Sequence, residues 1–582
     1  MAGTSAPSTL RWSWPEAVAR DWESGFIGPD GPFAFAEEDV LGRRTLVFAQ
    51  RSPSLRVTLE RAAAQHGDRP YLVFPARPEA DVTFGQARDR VAALSERLVE
   101  RYGVAPGDRV AVASANCAEY ALLAYAVASV GAIVVGLNGW WTSAELAHGL
   151  DLTSPTLVVG DDKRLERVAA IDPLSGARPD SPLSGARPAS WSDLAVPFAA
   201  LFDDLPDGTD LPLPDVALGE DDPVMILFTS GTTGRAKGAV LTHRNLGHMA
   251  LSSALGMALT SLGSTLPPPT GQPASIHVAP FFHVSGVVPL LVSSPVFGIK
   301  LVFPPPGRWD ETQHLELTQA HGVTSWSGVP TQLWRMLEHP DVASFDLSTL
   351  RTIGVGGAML PTELVRVIHE RLPGVAVTNG YGMTETMGNG TRAVGQTLLD
   401  HPGTVGSAEV GIEVQIREPD GITPTPDGDV GEIHIRGASV FLGYWDDPEA
   451  TAEALDDDRW YRTGDYGRIE DGMLHLESRM RDLIIRGGEN IYPIEIENRL
   501  VEHPDIEEAA VIGVDHPQLG QEVKAVVVAR DGAVVTLEDV QAWVGAVLAP
   551  FKVPAHLDVR AELPTTASGK VMKHVLEAEA NG

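Results

Sequence analysis

Between residues 51 and 160 the chain alternates two hydrophobic rhythms. The run FGQARDRVAALSERLVERYG places apolar residues at helical intervals, and DRVAVAS after it has the compact aliphatic pattern of a strand. A second helix, AEYALLAYAVASVG, leads to a second strand, AIVVGLN. Helices alternating with short aliphatic strands predict parallel α/β architecture. Further on, GEIHIRG and GMLHLESR alternate apolar and polar positions, which suits antiparallel strands. After about residue 481 the pattern reads helix–strand–strand–helix, from IENRLVEHPDIEEAAVIGV to TLEDVQAWVGAVLAP. That change predicts a small separate α+β domain at the C-terminal end. At 582 residues the chain is in any case too long for one core.

Charge sharpens this picture. The chain carries 77 acidic and 44 basic residues, a formal charge of −33, yet Asn245 to Ile299 contains no Asp, Glu, Lys or Arg. Such a stretch in so acidic a protein is expected to be largely interior. Two uncharged runs, 120–141 and 276–299, are long enough to cross a bilayer. The first is broken by Ser, Gly and Asn and the second by prolines, histidines and serines, so both are expected to be buried units and no membrane span is expected. The N-terminal MAGTSAPSTLRWSWPEA lacks the apolar core of a secretory signal, and a cytoplasmic protein is expected. The negative charge argues against nucleic acid or an anionic membrane as partner. A lone cysteine, Cys117, excludes an intrachain disulfide and is expected to be a small buried hydrophobe. The Pro/Gly/Ser-rich sequence PLSGARP occurs twice within 173–188, which suggests an exposed insertion, and TLPPPTGQPAS (265–275) reads as an irregular loop.

The chemistry is concentrated in short motifs. FTSGTTGRAKG (228–238) follows the hydrophobic run VMIL and holds three glycines, four hydroxyl side chains and Lys237. Glycine lets backbone N–H groups approach an oxyanion, and the Ser and Thr hydroxyls add neutral donors. The P-loop pattern GxxxxGK[ST] is not met, so an ordinary P-loop nucleotidase is disfavoured. GVGGAM (354–359), NGYGMTET (379–386), WYRTGDYG (460–467), SRMRDLIIRGGENIYPIEIE (478–497) and LPTTASGKVMKHVL (563–576) follow in order. Taken singly, each could be a tight turn or a solvated surface segment.

As an ordered set they resemble the adenylate-forming superfamily of acyl-CoA synthetases, nonribosomal peptide synthetase adenylation domains and beetle luciferases, most closely an acyl-CoA synthetase. The resemblance covers roughly residues 50–582. It implies an α/β fold: a large domain over 51–480, made of stacked α/β subdomains and a β-barrel-like subdomain, and a small mobile α+β domain over 481–582, with 1–50 an N-terminal extension outside the resemblance. It implies ATP, Mg²⁺ and coenzyme A as cofactors, and activation of a carboxylic acid as acyl-AMP before transfer to a thiol.

The resemblance also implies roles. Thr229, Ser230, Gly231, Thr232, Thr233, Gly234 and Lys237 would hold phosphate, and Gly356, Gly357 and Ala358 would line adenine and the acyl carbonyl. In the segment Asn379, Gly380, Tyr381, Gly382, Met383, Thr384, Glu385, the tyrosine would pack on adenine, Thr384 would touch phosphate and Glu385 would hold Mg²⁺. Asp465 would accept both ribose hydroxyls, Arg479 would contact ribose or phosphate, and Arg481 would be the hinge. Lys570 would reach the active site from the small domain, Gly487 and Gly488 would let a pantetheine arm pass, and His283 in PFFHVSG would gate the acyl pocket. Arg486 stands where a serine is expected, and its charge could serve a CoA phosphate.

The charge-free 245–299 stretch offers no Asp to pair with an amino group. A hydrophobic or aromatic, even bulky, carboxylic acid is therefore expected rather than an amino acid. Two alternatives stay open: an acyl adenylate handed to a carrier-protein thiol or another acceptor, and a homologue running only one half-reaction.

Overall fold

The computed structural model describes residues 9–11, 26, 28, 30–171, 190–205, 208, 211–229, 235–262, 266–267, 270–305, 307, 309–356, 360–418, 420–479, 482–486, 489–566 and 571–581, and of 11, 192, 261, 262, 478, 479, 489 and 490 the backbone alone. The PLSGARP duplication lies outside the described residues, as do parts of the 265–275 segment.

The expected alternation of helix and strand is present. Phe84–Glu100 opens on a capping box between Thr83 and Gln86 and leads to the strand Arg109–Ala113. Ala118–Ser129 then leads to Ile133–Leu137, which lies parallel to Arg109–Ala113. Every residue of the Ala118–Ser129 helix except Glu119 is buried, because it is apolar on all faces and packs on Leu55–His66 and Phe84–Glu100. The run 276–299 enters as the strand Ala274–Ile276 and continues as the short helical turns Val284–Val287, Val288–Ser293 and Ser294–Phe297. Among the described residues no helix is long and apolar enough to cross a membrane.

These strands belong to two large sheets. In the seven-stranded sheet, Ala195–Pro197, Leu157–Gly160, Arg109–Ala113, Ile133–Leu137 and Pro223–Thr229 run parallel, and Lys237–Thr242 and Gly443–Tyr444 add antiparallel strands at one edge. The fourteen-stranded sheet has a parallel half centred on Ser325–Gly328, Thr352–Gly356 and Ala376–Tyr381. Its other half is antiparallel and includes Ile412–Arg417, Gly431–Gly437, Tyr461–Glu470 and Met473–Arg479. This half curls, so that the end strand Thr9–Arg11 approaches Thr404–Ala408, which stands sixth in the order. That is the barrel-like portion. The C-terminal part has its own five-stranded sheet, built on Ile506–His516 and Gly520–Ala529, with Pro493–Val501 and Leu537–Gly545 as helices and a separate apolar core.

The first fifty residues contribute to the fold. Thr9–Arg11 pairs with Ile412–Arg417, and the hairpin Phe35–Val40/Arg43–Phe48 sets Phe48 against His248, ring centroids 4.9 Å apart. Beneath the hairpin, Arg51 bonds Glu38 and Glu220, both at 2.6 Å, while Arg244 bonds Glu220 and Asp221, both at 2.7 Å. The two guanidinium side chains are only 6% and 8% exposed. Removing one partner from a buried ionic network strands the charges that remain. Arg244→Met should therefore lower the stability of the large domain by about 3 kcal/mol in denaturant titration, whereas Arg44→Met, on the exposed pair with Glu37, should change it by less than about 1 kcal/mol.

Candidate active site

Parallel sheets present ligands with the carboxyl ends of their strands, where side chains and loop N–H groups converge. Here Pro223–Thr229 ends at Thr229, Thr352–Gly356 at Gly356, and Ala376–Tyr381 at Tyr381. All three ends line one cleft of about 3530 Å³. Lys237, His283, Asn379, Gly380, Gly382, Met383, Thr384, Glu385 and Asp465 line the same cleft. Residues drawn from 229 to 465 of the sequence are thus brought together.

Strand register explains how. Thr229 and Lys237 are Cα partners at the open end of an antiparallel pair, so the Gly/Ser/Thr segment between them is the loop that joins two paired strands. Ser230, Gly231, Thr232, Thr233 and Gly234 lie outside the described residues. The next strand partner, Tyr444, faces Ala239, which carries its ring beneath Lys237: Nζ stands 5.1 Å from the ring centroid. The Tyr444 hydroxyl donates to Glu385 Oε1 at 2.8 Å, and Phe441 N donates to the Glu385 carbonyl at 2.8 Å. Glu385 is 6% exposed. Burial pushes its carboxyl above the usual carboxylate range, against the opposing pull of hydrogen bonds from Tyr444, Thr229 and Tyr461. Burial and the neighbouring Glu385 also hold the Tyr444 phenol protonated, which keeps it a donor.

In the same cleft Tyr381 and Asp465 form a pair, the phenol donating to Oδ2 at 2.9 Å. Thr463 Oγ1 donates to Ile433 O at 2.8 Å and accepts from Asp465 N at 3.0 Å, which fixes the turn that presents the carboxylate. Asp465 is also the Cα partner of Arg479, so that backbone position adjoins the site, whereas the Arg479 side chain lies outside the described residues. Asn379 is buried and donates to Thr404 O at 3.4 Å.

The glycines divide into two kinds. A Cβ on Gly382 would sit 2.4 Å from Gly388 O, so the local turn itself excludes any side chain. At Gly354, Gly356 and Gly380 the nearest protein atom would be 3.6, 3.8 and 3.7 Å away. Packing does not require those three. Gly356 and Gly380 are register partners, and all three line the cleft, so the room they leave is room for a ligand. Gly357 and Ala358 lie outside the described residues.

His283 also lines the cleft, and its Nδ1 accepts from Ser285 N at 3.2 Å and contacts Ser285 Oγ at 2.8 Å. Asn116 holds that loop, donating to Ala279 O at 2.8 Å and accepting from Phe281 N at 3.1 Å. Arg481, Gly487, Gly488 and Lys570 lie outside the described residues. Thr565, Thr566, Val571 and Met572, on either side of the Lys570 segment, line the same cleft as Thr229 and Glu385. Arg486 faces Glu522 at 3.8 Å, a carboxylate that His556 also approaches at 3.2 Å, so its charge is answered within the small domain.

Sequence reasoning missed Tyr444, Tyr461 and Asn116. No short spacing joins 444 to 385 or 116 to 281; only the pairing of Lys237–Thr242 with Gly443–Tyr444 and the packing of distant loops do so.

The donor set fits a bound Mg²⁺. Among the described residues no group of three or more His, Cys, Asp or Glu could cage a metal, and a single buried carboxylate such as Glu385 suits Mg²⁺ whose shell phosphate oxygens and water would complete.

Two outcomes follow from this geometry. Tyr381→Phe deletes the hydrogen bond to Asp465 and should weaken ATP binding about tenfold in calorimetric titration, since bonds to charged groups are worth roughly 1.5–3 kcal/mol. Tyr444→Phe removes a donor that favours the ionised form of Glu385, so its already raised pKa should climb further. Protons then compete with Mg²⁺ over a wider range. The Mg²⁺ concentration for half-maximal activity should rise more steeply in the variant than in the wild type between about pH 8 and about pH 6.

Comparison with known proteins places these features in context. Residues 59–445 match the family model described as AMP-binding enzyme, and 495–570 match that described as AMP-binding enzyme C-terminal domain. The chain is 35% identical over 499 residues to a feruloyl-CoA synthase of Amycolatopsis sp, covering 84% of this chain and 92% of that protein. It is 34% identical over 542 residues to the 3-[(3aS,4S,7aS)-7a-methyl-1,5-dioxo-octahydro-1H-inden-4-yl]propanoyl:CoA ligase of Rhodococcus jostii, covering 90% and 98%. Among solved structures, ATP-bound MatB from Rhodopseudomonas palustris superposes with a TM-score of 0.75 at 28% identity, over 90% of this chain and 99% of that one.

Proposed function

The chain belongs to the AMP-binding enzyme family and is an AMP-forming acyl-CoA ligase using ATP, Mg²⁺ and CoA, and from that premise we propose its acid class and the side chains that act. The observation that carries the assignment of roles is the convergence on one cleft of Thr229, Lys237, Tyr381, Glu385 and Asp465.

The reaction has two displacements. A carboxylate oxygen attacks the α-phosphorus of ATP and pyrophosphate leaves; the CoA thiolate then attacks the acyl carbonyl and AMP leaves with the electron pair. The first displacement brings two anions together, so its barrier is lowered chiefly by fixed positive charge and positioning. Mg²⁺, when bound, supplies part of that charge to the triphosphate. Tyr381 gives adenine a π-face, and the Asp465 carboxylate accepts from the ribose hydroxyls. Glu385 offers a hard oxygen to the metal, and Thr384 a hydroxyl to phosphate. Lys237 and the 230–234 loop receive the pyrophosphate oxygens. Lys570 approaches the carboxylate and α-phosphate from the small domain, with Arg479 on ribose or phosphate and Arg481 as the pivot. Gly487 and Gly488 then give passage to pantetheine.

The acid is hydrophobic or aromatic, and bulky. Met249, Ser253 and Met257 face the cleft from the helix His243–Leu262, Gly354 leaves floor space opposite, and His283 gates the entrance. The names of two relatives specify an aryl and a bicyclic acid, in keeping with that volume. The working domain division is 1–50, 51–480 and 481–582, and the site of action is the cytoplasm.

Lys570→Ala should lower acyl-AMP formation about a hundredfold while leaving thioester formation from supplied acyl-AMP within a few-fold of wild type. Equal loss of both half-reactions would refute its role. Incubation with ATP, Mg²⁺ and a panel of carboxylic acids, with and without CoA, should give CoA-dependent thioester for cyclic and aryl acids, read by mass spectrometry. Adenylate retained without thioester would instead indicate another acceptor, such as a carrier-protein thiol.

A further inference from the structure

The acyl side of the cleft has a floor and a roof. Gly356, Gly380 and Arg392 are register partners on three successive strands, so their side-chain positions share one sheet face. The first two are glycines and leave the floor bare. Arg392 rises from it. On the roof, Met249, Ser253, Met257 and Thr260 face the cleft at helical spacing along His243–Leu262. Gly256 belongs to that same face. A Cβ there would lie 2.0 Å from Arg392 Nη1, so the missing side chain is the notch into which the guanidinium fits. Arg392 therefore spans the cavity from floor to roof.

Its charge has a partner: Arg392 Nε lies 2.5 Å from Glu409 Oε1. That contact uses one edge of a group with five N–H donors. The remaining donors meet no acceptor among the described residues, and the side chain is 24% exposed along the cleft. Close by, Ser252 Oγ lies 3.4 Å from Asn389 Oδ1 and 3.5 Å from Glu409 Oε2. Asn389 is buried, and its Nδ2 finds no partner among the described residues. Of this compact polar group it is Arg392 that lines the cleft and offers it spare donors. A guanidinium edge that faces a ligand cavity is placed to donate to an acceptor on the ligand.

We propose that Arg392 is a specificity-determining residue that recognises a neutral carbonyl oxygen on the part of the acid remote from its carboxylate. A ketone fits better than a second carboxylate, because Arg392 and Glu409 together are already neutral and another anion would repel Glu409. This inference rests on the acyl-CoA ligase reading above and narrows its substrate class to oxo-substituted cyclic acids.

The test compares 3-(4-oxocyclohexyl)propanoate with 3-cyclohexylpropanoate, which match in shape but for the ketone oxygen. In the wild type the oxo acid should have a kcat/KM for thioester formation at least about tenfold higher. The double variant Arg392→Met/Glu409→Gln, which avoids stranding a lone buried charge, should bring that ratio to about one. Gly256→Ala leaves the ion pair's chemistry intact but pushes the guanidinium aside, and it should also collapse the ratio. A wild-type ratio near one, or a ratio kept by both variants, overturns the proposal while thioester formation from either acid leaves the ligase reading standing. Wild-type failure to activate either acid counts against both.

Discussion

The buried carboxylate of Glu385 is the constraint around which the large domain is organised. It is held by a phenol that itself lies beneath the ammonium of Lys237, so a carboxylate, an aromatic ring and a cation follow one another beside the paired positions Thr229 and Lys237. None of the three could be placed alone. Burying Glu385 without Tyr444, Thr229 and Tyr461 would leave a costly unpaired acid, and Lys237 without the ring would lose the surface that orients it. The strand pairings Thr229–Lys237 and Ala239–Tyr444 fix the geometry. The carbonyl of Glu385 is held in turn by Phe441 N on the same edge segment. A protein with net charge −33 can bind a polyanion only through such local arrangements, with few cations supplemented by neutral donors.

A second constraint is space. Two large sheets bring segments distant in sequence to one cleft, and its floor has glycine at 354, 356 and 380. The helix His243–Leu262, which carries no charged residue after Arg244, roofs that space, and it is anchored at its start by the ionic network linking Arg244 to Glu220, Asp221 and the N-terminal hairpin. The first fifty residues thus brace the helix that covers the acyl cavity. The small domain meets the large one where Arg530 approaches Trp334 at 5.8 Å and Glu338 at 3.9 Å.

Much of this was legible in the chain itself. The parallel α/β rhythm of 84–137 and the helix–strand–strand–helix order after 481 appear where periodicity places them, because each element buries a face whose spacing is written locally. Tyr381, Glu385 and Asp465 were singled out because their motifs resemble those of the adenylate-forming superfamily, and the structure brings all three to one cleft. Tyr444 was not readable. Its role depends on an antiparallel edge strand of two residues, too short to leave any periodic trace. Arg392 was invisible for a similar reason: only the register with Gly380, together with the notch at Gly256, shows where its guanidinium goes. The N-terminal hairpin reads as an unmatched extension in sequence because its contacts are made with residues some two hundred positions away.

The central claim is that Tyr381, Asp465, Glu385 and Lys237 surround one nucleotide. It is tested most directly by a crystal structure of the full chain with a non-hydrolysable ATP analogue and Mn²⁺, the metal being located by anomalous scattering. The account predicts adenine on the Tyr381 ring, ribose hydroxyls on Asp465, the metal at Glu385 and the terminal phosphates between Thr229 and Lys237. A nucleotide bound elsewhere, or a metal remote from Glu385, would contradict it.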